Sequence, residues 1–67
     1  MKEHKNKPML KLKLKRIERG LNQEELAKLV GVSQNSISGY EVGEKFPRRN
    51  VLYKLAEVLE CEVGELL

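Results

Sequence analysis

Breaks rich in Gly, Asn, Ser or Pro divide this 67-residue chain into segments of about ten residues. A segment of this length makes about three turns of α-helix, and glycine and proline both interrupt a helix. A chain this short buries only roughly 60% of the surface that its unfolded form exposes. The spacing of the breaks and the length of the chain are together compatible with one domain built from short secondary-structure elements. Its core must be mostly Leu, Val and Ile, because only 4% of the residues are aromatic.

The residue inventory leaves little room for catalysis or metal binding. The chain has one Cys, one His and no Asp, so it cannot assemble a Ser–His–Asp or Cys–His–Asn arrangement or a Cys/His metal cluster. We therefore predict that the protein is not an enzyme and uses neither a metal nor a cofactor. Cys61 has no disulfide partner, and no segment approaches the ~18 apolar residues of a membrane helix. We expect a soluble cytoplasmic protein with no membrane partner.

Positive charge is concentrated at the beginning of the chain. Residues 1–20 hold eight Lys or Arg and two Glu, whereas residues 21–67 hold five basic and eight acidic residues. A solubilising mixture of charges is one interpretation. A cationic face turned towards a polyanion, with the acidic end turned away, is the other.

The first helix is predicted over residues 9–19. The run MLKLKLK at 9–15 alternates in the manner of a strand. Leu and Lys favour a helix instead, and the rest of the chain offers no partner strand. Pro8 suits the first helical position and Gly20 the stop. The stripe predicted to face the core consists of Leu10, Leu14, Ile17 and Leu21. Leu12 and Arg16 are placed on its flank.

Three further helices and a last turn follow. Asn22, with Glu25 three residues on, indicates the capped start of a second helix. Gly31-Val32-Ser33 separates it from a third helix over about 34–42. A fourth helix covers about 49–60. The apolar and inward positions are Leu26, Ala27, Leu29, Val30, Ile37, Tyr40, Glu41, Leu52, Leu55, Ala56 and Leu59, and the last turn carries Val63, Leu66 and Leu67. The predicted fold class is all-α, a compact bundle of about five short helices.

The second and third helices, joined by a three-residue turn that contains glycine, have the pattern of a helix-turn-helix. The third helix exposes short polar groups at Gln34, Asn35 and Ser38. The major groove of DNA is about 12 Å wide and displays base-edge donors and acceptors, which amides on such a helix can read.

With these residues, the sequence resembles the Cro and lambda-repressor-like (phage-repressor or XRE-type) helix-turn-helix DNA-binding family. The resemblance covers about residues 10–67. It rests on RIERGLNQEELA at 16–27, Gly31 to Gln34, Ile37-Ser38, Tyr40-Glu41, Gly43, Pro47 and Leu55-Ala56. It implies a single domain over residues 9–67 after a basic arm over 1–8, which we expect to be disordered. It also implies a partner, double-stranded DNA, bound by a homodimer on a palindromic operator with helix 3 in the major groove.

The resemblance implies roles for individual residues. Gln34, Asn35 and Ser38 would contact bases, Gln34 pairing with adenine. The expected phosphate contacts are Gln23, Ser33, Ser36, Lys45, Arg48 and Arg49. A structural salt bridge is expected between Arg16 and Glu41. The homodimer is expected to pair through Val63, Leu66 and Leu67.

The sequence departs from the family pattern where base reading is concerned. Gly39 stands where relatives place a side chain that faces the bases, and Val42 replaces a polar residue that binds phosphate. We expect a transcriptional regulator, a repressor that blocks polymerase by occupying its operator and is encoded by a bacterium or a phage. The alternative is a protein-interaction module, antitoxin- or antagonist-like, that kept the fold without reading DNA. Cys61 is expected to be a buried, inert thiol, and Phe46 and Tyr53 are expected to pack in the core or loops.

Overall fold

The computed structural model describes residues 6–67, and these form four α-helices and a short 3₁₀ turn without any strand. The elements are α1 (Leu10–Glu18), α2 (Gln23–Val30), α3 (Gln34–Val42), α4 (Arg49–Val58) and the 3₁₀ turn (Val63–Glu65). The predicted all-α class is confirmed, and its fifth helix is the 3₁₀ turn. Residues 1–5, which make up most of the predicted arm, lie outside the described residues. Among residues 6–67, no helix is long and apolar enough to span a membrane.

Local signals in the sequence set the ends of α2 and α3. Asn22 Oδ1 accepts a hydrogen bond from the Glu25 N–H (2.7 Å), and Glu25 Oε1 accepts one from the Asn22 N–H (2.9 Å). Ser33 Oγ caps α3 in the same way, at 3.1 Å from the Ser36 nitrogen. The predicted starts of both helices are therefore confirmed.

The predicted register of α1 is wrong. Leu12 and Arg16 are buried, whereas Leu10, Leu14 and Ile17 are 61%, 59% and 53% exposed. Two contacts with α3 determine this rotation of the helix. The Met9 N–H donates to the Tyr40 carbonyl (3.1 Å) at the start of α1, and Arg16 pairs with Glu41 two turns later. Pro8 therefore precedes the helix, and Met9 occupies the position before its first residue.

The core is formed from all four helices and the C-terminal segment. Its buried apolar members are Met9, Leu12, Leu26, Ala27, Ile37, Tyr40, Leu55, Ala56, Leu59 and Leu66. Leu66 is 0% exposed, so its predicted part in pairing two copies is wrong: it is a member of the core. Leu29, which was predicted to face the core, is exposed; Phe46, in the loop after α3, and Tyr53, on α4, are exposed as well. Cys61 is half-buried, and burial raises the pKa of its thiol, as suits an inert thiol.

Two ion pairs connect α1 to the C-terminal segment. Lys15 Nζ lies 3.2 Å from Glu65 Oε1, and Arg19 Nη2 lies 2.6 Å from Glu60 Oε1. The Glu62 N–H donates to the other oxygen of Glu65 (3.0 Å). Both contacts hold the pKa of Glu65 below its ordinary value, and the hydrogen bond from Glu62 has the larger effect. The acidic end of the chain thus neutralises part of the basic α1.

Replacing Lys15 with Met should raise the pKa of Glu65 while leaving it below its ordinary value, because the Glu62 N–H remains. The folded chain holds this pKa below that of the unfolded chain. The ionised Glu65 carboxylate therefore stabilises the fold at pH values above its pKa in the unfolded chain. This stabilisation is lost as the pH falls through the pKa of Glu65 in the folded chain. A carboxyl-carbon NMR titration measures the change. Lys13→Met, which removes another lysine of α1, should leave the pKa of Glu65 unchanged. Equal pKa shifts in both variants would contradict the conclusion that Lys15 lowers this pKa.

Candidate nucleic-acid interface

The helix-turn-helix consists of α2, the turn Gly31-Val32-Ser33 and α3. α2 packs against α3 more extensively than against any other element of residues 6–67. α3 buries Ile37, Tyr40 and Glu41. The opposite side of α3 is therefore the one that can face a ligand.

The structure places the predicted base-reading residues on this outer side. Gln34 and Asn35 are exposed at the first turn of α3, and Ser38 is half-buried one turn later. Val42 continues the same side and is 43% exposed. Two amides, a hydroxyl and one apolar side chain thus form the surface that α3 presents.

A buried polar network holds α3 against α1 and α2. Arg16 donates from Nε to Glu41 Oε2 (2.7 Å) and from Nη2 to Glu41 Oε1 (3.1 Å), which is a bidentate pair. Its Nη1 donates to the Leu21 carbonyl (2.9 Å). Gln23 Nε2 donates to Glu41 Oε1 at 2.9 Å. The expected ion pair between Arg16 and Glu41 is present, and Gln23, which was expected to contact phosphate, also donates a hydrogen bond to it.

The two serines predicted to contact phosphate are engaged at the start of α3. Ser33 Oγ accepts from the Ser36 N–H, and the two hydroxyl oxygens lie 3.1 Å apart. Ser33 is exposed and Ser36 is half-buried, so the pair borders the exposed first turn of α3. The helix N-terminus adds a partial positive charge at this place.

The three remaining predicted phosphate ligands lie after α3. Lys45 and Arg48 are exposed in the loop before α4, and Arg49 is exposed at the first position of α4. Pro47, which is buried, anchors the loop between Lys45 and Arg48. None of the three forms an ion pair within residues 6–67. They therefore present positive charge that the described part of the fold does not neutralise.

The side chain of Lys45 also packs against Gly39, where a larger residue would place its own side chain. This contact was not predicted from the sequence. Gly39 is buried, and a Cβ built on it would lie 3.0 Å from both Cγ and Cδ of Lys45. The Lys45 N–H donates to the Gly39 carbonyl (3.1 Å). Gly39 follows Asn35 by one helical turn, so the lysine stem crosses the edge of the surface that carries Asn35. The only sequence signal was the glycine itself, which permits close approach.

Residues 6–8 cross the C-terminal end of α3. The Asn6 N–H donates to the Gly43 carbonyl (3.2 Å). Gly43 has φ +89°, and a Cβ there would lie 2.5 Å from the Asn6 carbonyl oxygen. Only glycine fits this crossing, which packs residues 6–8 of the predicted arm against the end of α3.

An exposed helix that carries amides, held by a second helix across a glycine turn and flanked by unneutralised basic residues, defines the class of helix-turn-helix domains. Comparison with known sequences agrees. Residues 12–66 match the model of the HTH_3 family, described as helix-turn-helix. This chain belongs to the HTH_3 family.

Among curated relatives, the transcriptional repressor RstR of the cryptic phage CTXphi in Vibrio cholerae is 40% identical over 52 residues, 78% of this chain and 47% of that protein. The chain thus spans about half the length of this relative. A second relative, an HTH-type transcriptional regulator from Archaeoglobus fulgidus, is 40% identical over 47 residues, 70% of this chain and 67% of that protein.

Solved structures share the fold at similar identity. The P22 c2 repressor in complex with synthetic operator 9T has a TM-score of 0.85 and 32% identity, covering 91% of this chain and 94% of that chain. The restriction-modification controller protein C.AhdI from Aeromonas hydrophila has a TM-score of 0.81 and 34% identity, covering 87% and 88%.

Proposed function

We propose that this chain is a sequence-specific, double-stranded DNA-binding transcriptional regulator that acts in the bacterial cytoplasm as a repressor. The observation that carries this proposal is the outer side of α3, where Gln34 and Asn35 are exposed on a helix fixed by the Arg16–Glu41 pair. One relative named as a transcriptional repressor, another named as a transcriptional regulator and a neighbour bound to an operator support the same function.

In the proposed complex, α3 lies in the major groove. Gln34, Asn35 and Ser38 contact base edges, and a bidentate Gln–adenine pair contributes about 1–3 kcal/mol of discrimination. The proposed phosphate ligands are Gln23, Ser33, Ser36, Lys45, Arg48 and Arg49. Gln23 donates to Glu41 through one amide hydrogen, and its second amide hydrogen is available to a phosphate oxygen.

The proposed regulator binds a palindromic operator as a homodimer, with half-sites about 34 Å apart. Of the three residues predicted to pair the two copies, Leu67 is exposed and Val63 is half-buried, whereas Leu66 belongs to the core. We therefore assign the pairing contact to Leu67 and Val63.

Fluorescence anisotropy tests the function directly. The purified chain is titrated into the duplex from upstream of its own gene and into the same bases scrambled, at about 150 mM salt, because low salt lets any cationic surface bind. We expect the native duplex to bind on the order of a thousand-fold more tightly. If it does not, a selection from random duplexes follows. Failure to enrich any sequence would overturn the proposal in favour of a protein-interaction module.

Replacing Gln34 with Ala should weaken operator binding by about 5- to 150-fold, because a base contact worth roughly 1–3 kcal/mol is lost. The loss should be confined to the specific duplex, since Gln34 is exposed and contributes nothing to the core. Anisotropy on both duplexes, with circular dichroism as the check on folding, measures the effect.

Lys45→Met is the matched control, because methionine keeps an apolar stem over Gly39 and removes only the charge. It should weaken binding to both duplexes about equally and reduce the salt dependence by about one ion. If Gln34→Ala also weakened both duplexes equally, Gln34 would not read a base.

A further inference from the structure

α1 carries an apolar stripe on the side turned away from the core. We call this set, Leu10, Leu14 and Ile17, the α1 stripe; its members are four and three residues apart and share one helix face. Each is more than half exposed. The residues that α1 buries, Leu12 and Arg16, lie on the other side and face the core and α3.

Two charged residues border the α1 stripe along one edge. Lys11 precedes Leu14 by three residues and Glu18 follows it by four, so both lie beside Leu14 on the same flank. Neither forms an ion pair within residues 6–67, whereas their neighbour Lys15 is already paired with Glu65. The edge therefore offers one positive and one negative charge about two turns apart.

A shallow groove runs along the same edge. Its lining residues are Lys11, Leu14, Lys15, Glu18 and Glu65. The four from α1 are spaced i, i+3, i+4 and i+7, which is the set that forms a hole for a side chain of a second helix. The groove thus has the form that receives a helix laid along α1.

We propose that the α1 stripe is a contact surface between two copies of this chain, with their α1 helices antiparallel about a two-fold axis. In such a contact, residue i of one copy meets residue j of the other, and j meets i. With the axis beside Leu14, Lys11 of each copy meets Glu18 of the other, and each Leu14 enters the groove of the other. A partner with a uniformly acidic or uniformly basic surface would match only one of the two charges. The edge is therefore complementary to itself.

This contact leaves the DNA-facing surface of the proposed function free. The buried side of α1 faces α3, so pairing through the opposite side leaves the outer side of α3 uncovered. The groove is bordered by Glu65, which lies in the chain between Val63 and Leu67, the two residues of the proposed operator-binding dimer. The contact can therefore join chains whose recognition helices remain available.

Sedimentation equilibrium at about 100 µM protein tests the contact. Leu14→Lys should lower the association constant at least about ten-fold, since a charge replaces an apolar contact in both copies. Leu29→Lys is the matched control, because Leu29 is an exposed leucine on α2 and should have no effect. Circular dichroism verifies that both variants are folded. A parent chain that sediments as a monomer, or equal effects of the two variants, would overturn the proposal.

Charge reversal tests the antiparallel arrangement. Lys11→Glu and Glu18→Lys should each weaken self-association, because each places like charges opposite one another. The double variant Lys11→Glu/Glu18→Lys should restore it, since both pairs are re-formed with their signs exchanged. A double variant that associates no better than the single variants would overturn the arrangement. DNA is absent from these measurements, so their outcome does not depend on whether the chain reads an operator.

Discussion

Replacing Glu41 with Ala is expected to lower the free energy of unfolding by about 3–5 kcal/mol, a large part of the ~5–15 kcal/mol that stabilises a small domain. The Glu41 carboxylate accepts two hydrogen bonds from Arg16 and one from Gln23. Arg16 is only 9% exposed, so the variant leaves a cation buried without its counter-charge. Urea denaturation followed by circular dichroism measures the loss.

Two further variants separate burial from charge in this result. Lys54→Ala breaks the exposed pair between Lys54 and Glu57 (3.7 Å) and should cost less than about 1 kcal/mol. Replacing both partners of the buried pair, with Arg16→Met and Glu41→Leu, should recover most of the loss, because neither charge then remains buried. A loss for Glu41→Ala no larger than that for Lys54→Ala would refute the argument.

Gly43→Ala should cost about 2–4 kcal/mol in unfolding free energy, from two sources. The left-handed backbone costs a non-glycine residue about 1–2 kcal/mol. The new Cβ also collides with the Asn6 carbonyl, so the crossing segment must move and its hydrogen bonds to Gly43 and Tyr40, worth about 1 kcal/mol each, weaken. Denaturation measures the total, and amide hydrogen exchange at Met9 reports the loosened segment.

Gly31→Ala is the matched control for this substitution. Gly31 ends α2 with φ +88°, almost the same as Gly43 at the end of α3, but no heavy atom lies within 4 Å of its added Cβ. Only the backbone cost of about 1–2 kcal/mol should appear, and hydrogen exchange at Met9 should not change. Equal losses for the two glycines would mean that the crossing by residues 6–8 contributes nothing to stability.

The helix-turn-helix could be predicted because short-range signals define it. Asn22 and Ser33 cap helices through their own side chains, and Gly31 and Gly43 end them through backbone conformations that other residues avoid. Each signal acts within about four residues and needs no knowledge of distant parts of the chain. The exposed position of Gln34 followed from the same boundaries.

The register of α1 could not be predicted, because contacts distant in sequence decide it. Its alternating Leu and Lys residues place leucines on opposite faces of the helix. The prediction chose the face with more aliphatic residues and placed Arg16 on the flank, yet it also paired Arg16 with an inward Glu41. The structure resolves this conflict in favour of the ion pair, which turns Arg16 inward and leaves Leu14 outside. Arginine is seldom buried without a partner of opposite charge, so the burial of Arg16 can be predicted only when Glu41 is known to be its partner.

Leu66 and Lys45 show the same limit. The apolar end of the chain was assigned to a second copy, since α4 was expected to satisfy the core by itself. In the structure Leu66 is fully buried as a member of the core, so α4 does not complete the core by itself. The packing of the Lys45 side chain on Gly39 depends on the conformation of the loop after α3. The sequence carries no periodic signal that predicts this loop conformation.

The Lys45 side chain that lies across Gly39 affects which residues must be grafted to transfer the α3 surface to a related protein. The surface offered to a groove is composite: most of it comes from α3, and one cation comes from the loop that follows. Swapping residues 34–42 into another scaffold would leave Lys45 behind and expose a bare glycine at the edge of the graft. A graft that extends through residue 45 carries both parts, so the portable unit of the proposed recognition surface is longer than α3.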